Sequence, residues 1–138
     1  GRARIEQVGT FQEIYDNPKS VFVAGFLNLH GDAPPINLLD ARGMGRGPWP
    51  GNELVGVRPE DVTVSRDRTE DGIEGTIVSE LRLPMKHATI LNIRAAGQEV
   101  CARIPGDGTY LTGDPVWLTF GRYHVFDKGS GVRLRSYP

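Results

Sequence analysis

The spacing of hydrophobic positions changes partway along the chain. In the first thirty or so residues the pattern is helical. Thr10-Phe11-Gln12-Glu13 has the capping-box spacing, with a hydroxyl placed to accept from a free helix N–H and a carboxylate placed to reach back to the cap. Phe11, Ile14 and Tyr15 fall at i, i+3 and i+4 as one apolar stripe, and Asn17-Pro18 ends it because the residue before proline is pushed out of the α region. Ser20 caps a second, more apolar turn carrying Val21, Phe22, Val23, Phe26 and Leu27, a face that needs a partner to cover it.

Prolines and glycines interrupt residues 32–52 repeatedly, which reads as a connection with one strand-like island at Ile36 to Leu39 and a domain boundary nearby. Beyond it the period shortens to two. Strands are expected over 54–58, 62–65, 73–83, 88–95, 99–104, 116–120 and 132–135. Gly72, Gly97, Gly106, Gly113 and Gly131 lie in the breaks between them, where tight turns need positive φ. So many short strands predict a mainly β fold, a small barrel or sandwich; an OB-like small barrel of antiparallel strands, closed or nearly closed and preceded by a short N-terminal strand-helix segment, is the reading that removes sheet edges. Residues 73–104 form its three-stranded meander. Pro84 cannot donate to a ladder and marks an edge or a bulge.

Composition narrows the functional classes. The chain has 138 residues, enough for one ordinary domain with its own core. A net charge of -1 gives no general attraction to phosphate backbones or anionic lipid, so neither nucleic acid nor direct membrane insertion is expected. The single Cys101 cannot form an intrachain disulfide, and no apolar run is long enough to span a bilayer, which fits a reducing, cytoplasmic setting. Trp117, Phe120, Tyr123 and Phe126 resemble a base-stacking platform only superficially, because the alternation around Trp117 sends half of that strand inward.

Two clusters could carry chemistry. Arg58-Pro59-Glu60-Asp61 places a guanidinium beside two carboxylates after a strand; it reads better as a corner, with Pro59 fixing φ and the acids favouring the start of a helical turn. His124 and Asp127, with Ser130 or Ser136, have the residue types of a hydrolytic triad, yet no Gly-x-Ser-x-Gly turn presents a nucleophile. The three histidines His30, His87 and His124 lack metal-ligand spacing. His124 is expected at a strand start, with Phe126 packed inward and Asp127 opening a turn. No catalytic, cofactor or metal residue is assigned.

Three runs resemble one family in order. Gln7-Val8-Gly9-Thr10 followed by Phe22-Val23-Ala24 and Phe26 is similar to the stretch that finishes the nucleotide-binding domain in ATPase subunits of maltose-type and glycerol-phosphate-type ABC importers, with Phe11 where that family usually has proline. Gly56-Val57-Arg58-Pro59-Glu60-Asp61-Val62 resembles its Gly-Ile/Val-Arg-Pro-Glu motif, and His124-Val125-Phe126-Asp127 with Gly131 and Leu134 resembles its closing motif. Leu83-Pro84-Met85-Lys86 departs from the family's usual turn.

The resemblance implies a fragment: residues 1–30 as the end of a nucleotide-binding domain and 31–138 as a TOBE-type, OB-like regulatory domain. It implies a regulatory and dimerisation role in a sugar or glycerol-phosphate importer, coupling ATPase closure to uptake, with transmembrane permease subunits and a regulatory protein as partners. The parent would use ATP and Mg²⁺ at the cytoplasmic face of the inner membrane. This chain lacks the GxxxxGK-Ser/Thr run that cradles phosphates; its Gly43 to Gly51 loop has no Lys-Ser/Thr pair, and Pro48 and Pro50 remove donors. It is therefore expected not to be an enzyme by itself. The alternative is a small-ligand barrel sensing an oxyanion through Arg58, Arg103 or backbone donors near Gly106 and Gly108.

Overall fold

A computed structural model describes residues 36–41, 52–106 and 110–137. The helical segment expected before residue 30, and the loop from Gly43 to Gly51, lie outside the described residues. Among the described residues, nine strands form two antiparallel sheets: β1 (Asn37–Asp40), β2 (Glu53–Val57), β3 (Val62–Ser65), β4 (Ile73–Leu83), β5 (Ala88–Ala95), β6 (Gln98–Pro105), β7 (Pro115–Phe120), β8 (Tyr123–Asp127) and β9 (Arg133–Tyr137). The first sheet runs β1-β2-β8-β9 and the second β3-β7-β4-β5-β6.

The second sheet is the expected barrel, with the meander β4-β5-β6 as its larger part. It is not closed by hydrogen bonds. It curls so that its two edge strands, β3 and β6, pack on each other, and the 3-10 turn Pro59–Asp61 fills the same seam. Inward residues alternate as the period of two requires: Leu91, Ile93 and Ala95 of β5 face Val100 and Ala102 of β6 and Val116 and Leu118 of β7. Leu39, Val55 and Val57 of the first sheet join that same core, so the two sheets share one interior. On the far face of the first sheet, Ile36, Phe126 and Leu54 form a separate small cluster.

Three expectations are corrected. The strand-like island at Ile36 to Leu39 belongs to a packed element rather than a connection: it enters strand β1, with Ile36 and Leu39 buried. Tyr123–Asp127 is a full strand in the middle of a sheet, and His124 is its second residue. The bulge lies at Val78, where the β4–β5 register shifts between Ile77 and Ser79, while Pro84 starts a 3-10 turn that ends with His87 at φ 51. The extra residue reverses the alternation of β4. Ile77 points into the core, but beyond the bulge Glu80 lies opposite Leu91, and Ser79 moves outward to accept from Asn92 Nδ2 at 2.9 Å.

The β5–β6 hairpin turns on Ala96 and Gly97, both at positive φ (51 and 74), between the paired residues Ala95 and Gln98. That is a type I′ geometry, which suits Asn-Gly and strains alanine. Ala96→Asn is expected to stabilise the fold by about 0.5–1 kcal/mol, read as a rise in Tm of a few degrees. An unchanged or lower Tm would contradict the turn assignment.

Candidate functional site

The two motif regions, far apart in sequence, meet across one strand pair. β2 leads into Arg58-Pro59-Glu60-Asp61, and β8 is His124-Val125-Phe126-Asp127 with its preceding tyrosine. Their register sets Gly56 opposite His124 and Leu54 opposite Phe126. Directly opposed residues share a face, so Leu54, Gly56, His124 and Phe126 line the side of the first sheet turned away from the main core.

Gly56 is required here by space. A Cβ on it would come within 2.5 Å of Phe126 Cε2 and 3.3 Å of Ile36 Cδ1. The Phe126 ring, with no exposed surface, occupies the volume that any other residue at 56 would claim. His124 is 3% exposed; its Nδ1 lies 2.7 Å from Ser136 Oγ, the residue opposite it on β9, and its ring stands 6.2 Å from that of Phe126.

The Arg58–Asp61 segment is a corner between the sheets. Arg58 is extended (φ -69, ψ 147) and buried, and Pro59, also buried, opens the 3-10 turn. Asp61 N–H donates to Arg58 C=O at 2.9 Å, and Gly121 N–H donates to Asp61 C=O at 2.8 Å, which ties the corner to the β7–β8 turn. Glu60 and Asp61 sit in the first turn, half-exposed, where N–H groups favour negative charge.

Asp127 works at the opposite end of β8 from the corner. Its Oδ2 accepts from Ser130 N–H at 2.8 Å, and its C=O accepts from Gly131 N–H at 2.7 Å, folding the β8–β9 turn. The Ser130 N–H and hydroxyl, with the Gly129 N–H, hold its carboxyl below the usual aspartate value. His124 with Ser136 and Asp127 with Ser130 are thus two separate pairs rather than one triad.

Sequence reasoning missed a two-bond ion pair between the first and last strands of the β2-β8-β9 run. Glu53, 8% exposed, receives Arg135 in two parallel bonds, Nη1 to Oε2 at 2.8 Å and Nη2 to Oε1 at 2.6 Å, which hold the guanidinium charged beyond its ordinary range. Arg135 Nε also donates to Tyr137 Oη at 2.9 Å, and the Tyr137 ring stacks on Tyr123 at 4.7 Å. Only pairing in space links positions 53 and 135, so no local signal announces them.

At the rim of the barrel, Glu80 accepts from Tyr110 N–H at 3.0 Å and Arg82 Nε at 2.9 Å, contacts that hold its carboxyl below the usual value. Asp114 does the same with Leu111 N–H and Arg66, and the Arg66 guanidinium lies 4.2 Å over the Tyr110 ring. Of the donors named for an oxyanion, Gly106 N–H is bonded to His87 C=O at 2.6 Å, and Gly108 lies outside the described residues. Among the described residues no group of His, Cys, Asp and Glu could hold a metal ion, and no helix is long and apolar enough to cross a membrane.

No protein-family model matches the chain. It is 33% identical over 146 residues to the sn-glycerol-3-phosphate import ATP-binding protein UgpC of Rhizobium meliloti, covering 95% of this chain and 40% of that protein. The protein of that name from Jannaschia sp. is 32% identical over 94% of this chain and 39% of its own length. The multiple sugar-binding transport ATP-binding protein MsmK of Streptococcus mutans is 28% identical over 96% of this chain and 41% of its own length. The chain spans about 40% of the length of the curated relatives it matches.

Gly56→Ala is expected to destabilise the fold by about 2–3 kcal/mol, because the Phe126 ring has to move for any Cβ, and Phe126→Leu in the same chain should recover part of that loss. Denaturant melts of the two single variants and the double variant measure this, and strictly additive losses would refute the contact. Asp127 gives a pH signature. Its folded carboxyl is more acidic than an unfolded one, so the stabilisation is full above the ordinary aspartate value of 3.8 and is lost as pH falls through the lower folded value. Asp127→Asn should therefore be less stable than the parent chain at neutral pH, with the gap closing below about pH 4; a gap that persists in acid would assign the effect to something other than charge.

Proposed function

The chain belongs to the ATP-binding subunits of ABC importers of the glycerol-phosphate and sugar type, and on that premise we propose that it is their regulatory barrel, a part that holds the subunit dimer together rather than one that hydrolyses ATP. The observation that carries this reading is the match over 95% of the chain to only 40% of a longer ATP-binding protein. It is joined by the use of both motif regions in building a corner and a strand crossing instead of a reactive site.

The mechanism is one of proximity. A contact between two copies that persists while the ATPase halves open turns their closure into an intramolecular step at high effective concentration. Two-fold symmetry makes such a contact isologous, with the same surface used by both copies. The parent subunit would bind ATP and Mg²⁺, act through transmembrane permease subunits, and sit peripherally at the cytoplasmic face of the inner membrane. A regulatory protein would reach it through this barrel.

Light scattering on the purified chain tests the reading directly. Over a rising concentration series the mass should move to twice that of one chain, and ATP should not be turned over. A mass that stays monomeric at the concentrations of a structural sample would sink the dimerisation role, and ATP turnover by the chain alone would sink the non-catalytic one.

A further inference from the structure

Two primary-amide side chains join the sheets, and they do so reciprocally. Asn37 of β1 donates Nδ2 to Cys101 C=O at 2.8 Å and accepts Cys101 N–H on Oδ1 at 2.8 Å. Gln98 of β6 returns the arrangement: Oε1 accepts Asp40 N–H at 2.7 Å, and Nε2 donates to Asp40 C=O at 3.0 Å. A primary amide carries a donor and an acceptor side by side, as a peptide group does, so each side chain meets a backbone N–H and C=O in the manner of a neighbouring strand. Asn37 Nδ2 also reaches Val57 C=O at 3.0 Å, and Lys128 Nζ adds an exposed contact to Asp40 Oδ2 at 2.9 Å.

The two strands so joined belong to different sheets. β1 is tied to β2 by a backbone ladder of four residue pairs, whereas the two amide side chains join it to β6 with no ladder between the strands. The β6 contact can therefore open without breaking a rung of either sheet. Both contacts have half-exposed members, Cys101 and Gln98, so water can replace the bonds when they part. The shared core takes residues from β3 to β7 together with Val55 and Val57 of β2, and Leu39 is the contribution of β1.

We propose that these two amide contacts act together as a latch. Closed, it fixes β1, and the course of the chain entering at Ile36, to the edge of β6. Open, it frees β1 from that edge while the five-stranded sheet stays folded. In the importer reading, β1 is the first described strand after the ATPase-like segment, so the latch sets whether movement there is delivered to the whole barrel. That consequence rests on the proposed function; the latch does not.

Native-state hydrogen exchange on the 138-residue chain tests it without ATP, permease or partner. In the unaltered chain the Asp40 and Cys101 amides should share one opening reaction, exchanging at least about tenfold faster than the amides of β5. The decisive observation is cross-talk. Gln98→Met removes the bond to Asp40 and should also speed exchange at Cys101, whose own partner is intact, by at least about tenfold with the β5 amides unchanged. Asn37→Leu should do the reverse at Asp40. Because Gln98 is half-exposed, its variant carries the test even if Asn37→Leu fails to fold. A Cys101 amide indifferent to Gln98→Met would make the contacts independent, and acceleration of every amide alike would make them ordinary stabilising bonds; either result overturns the latch.

Discussion

The outer edge of β6 is the constraint on which the rest of the structure depends. A sheet that curls without closing leaves a strand with unpaired N–H and C=O groups, and such an edge must be paired, covered or guarded. Here it is covered piecewise. Asn37 satisfies both backbone groups of Cys101, the Pro59–Asp61 turn packs against the strand, and β3 closes in from the other side of the seam. Two of the elements that cover β6 also join the two sheets: β1 brings the first sheet to the barrel edge, and the corner at Arg58 carries the chain from one sheet to the other. The strand that would otherwise be a liability is thus where the two layers become one body with a shared interior.

The second organising contact is steric. Gly56 and Phe126 lie on neighbouring strands, on the face away from the main core, and the ring fills the space where a Cβ would stand. A missing side chain on β2 lets β8 place a large aromatic flat against the sheet, and Ile36 and Leu54 complete the cluster. The first sheet is in this way apolar on both faces near β2 and β8, which explains why its central strands, Glu-Leu-Val-Gly-Val and Tyr-His-Val-Phe-Asp, do not show clean alternation.

That difference governs what the sequence reveals. β3, β4 and β5 run over the residues that their apolar patterns mark, 62–65, 73–83 and 88–95, even though β5 is buried on both faces over Ala88 to Leu91. β1 shows as a strand-like island, but the prolines and glycines around it disguise that it is packed, and β8 is hidden by Gly121 and Arg122 before it and by burial on both faces. The bulge at Val78 is invisible because a single inserted residue leaves composition unchanged while reversing the phase of the strand beyond it. Hardest of all are the long-range polar pairs. Asn37 with Cys101, Gln98 with Asp40, and Glu53 with Arg135 join residues 64, 58 and 82 positions apart, and nothing local distinguishes these side chains from solvated ones. The corner at Pro59 and the turn opened by Asp127 were legible because each depends on chemistry written within a few residues, whereas Phe126 is buried on the face away from the main core.

This separation also bears on what a motif means. Gly56 is fixed by an aromatic ring, Pro59 by a change of sheet, and Asp127 by the N–H groups of a turn. These are demands of folding. Residues of this kind mark a fold, and one fold serves many purposes. Relatives whose names specify sn-glycerol-3-phosphate and multiple sugars align with nearly the whole of this chain, so likeness over this stretch is common to relatives named for different solutes. What the described residues share is a body whose two sheets have one core in common and whose open β6 edge is met by side chains of β1.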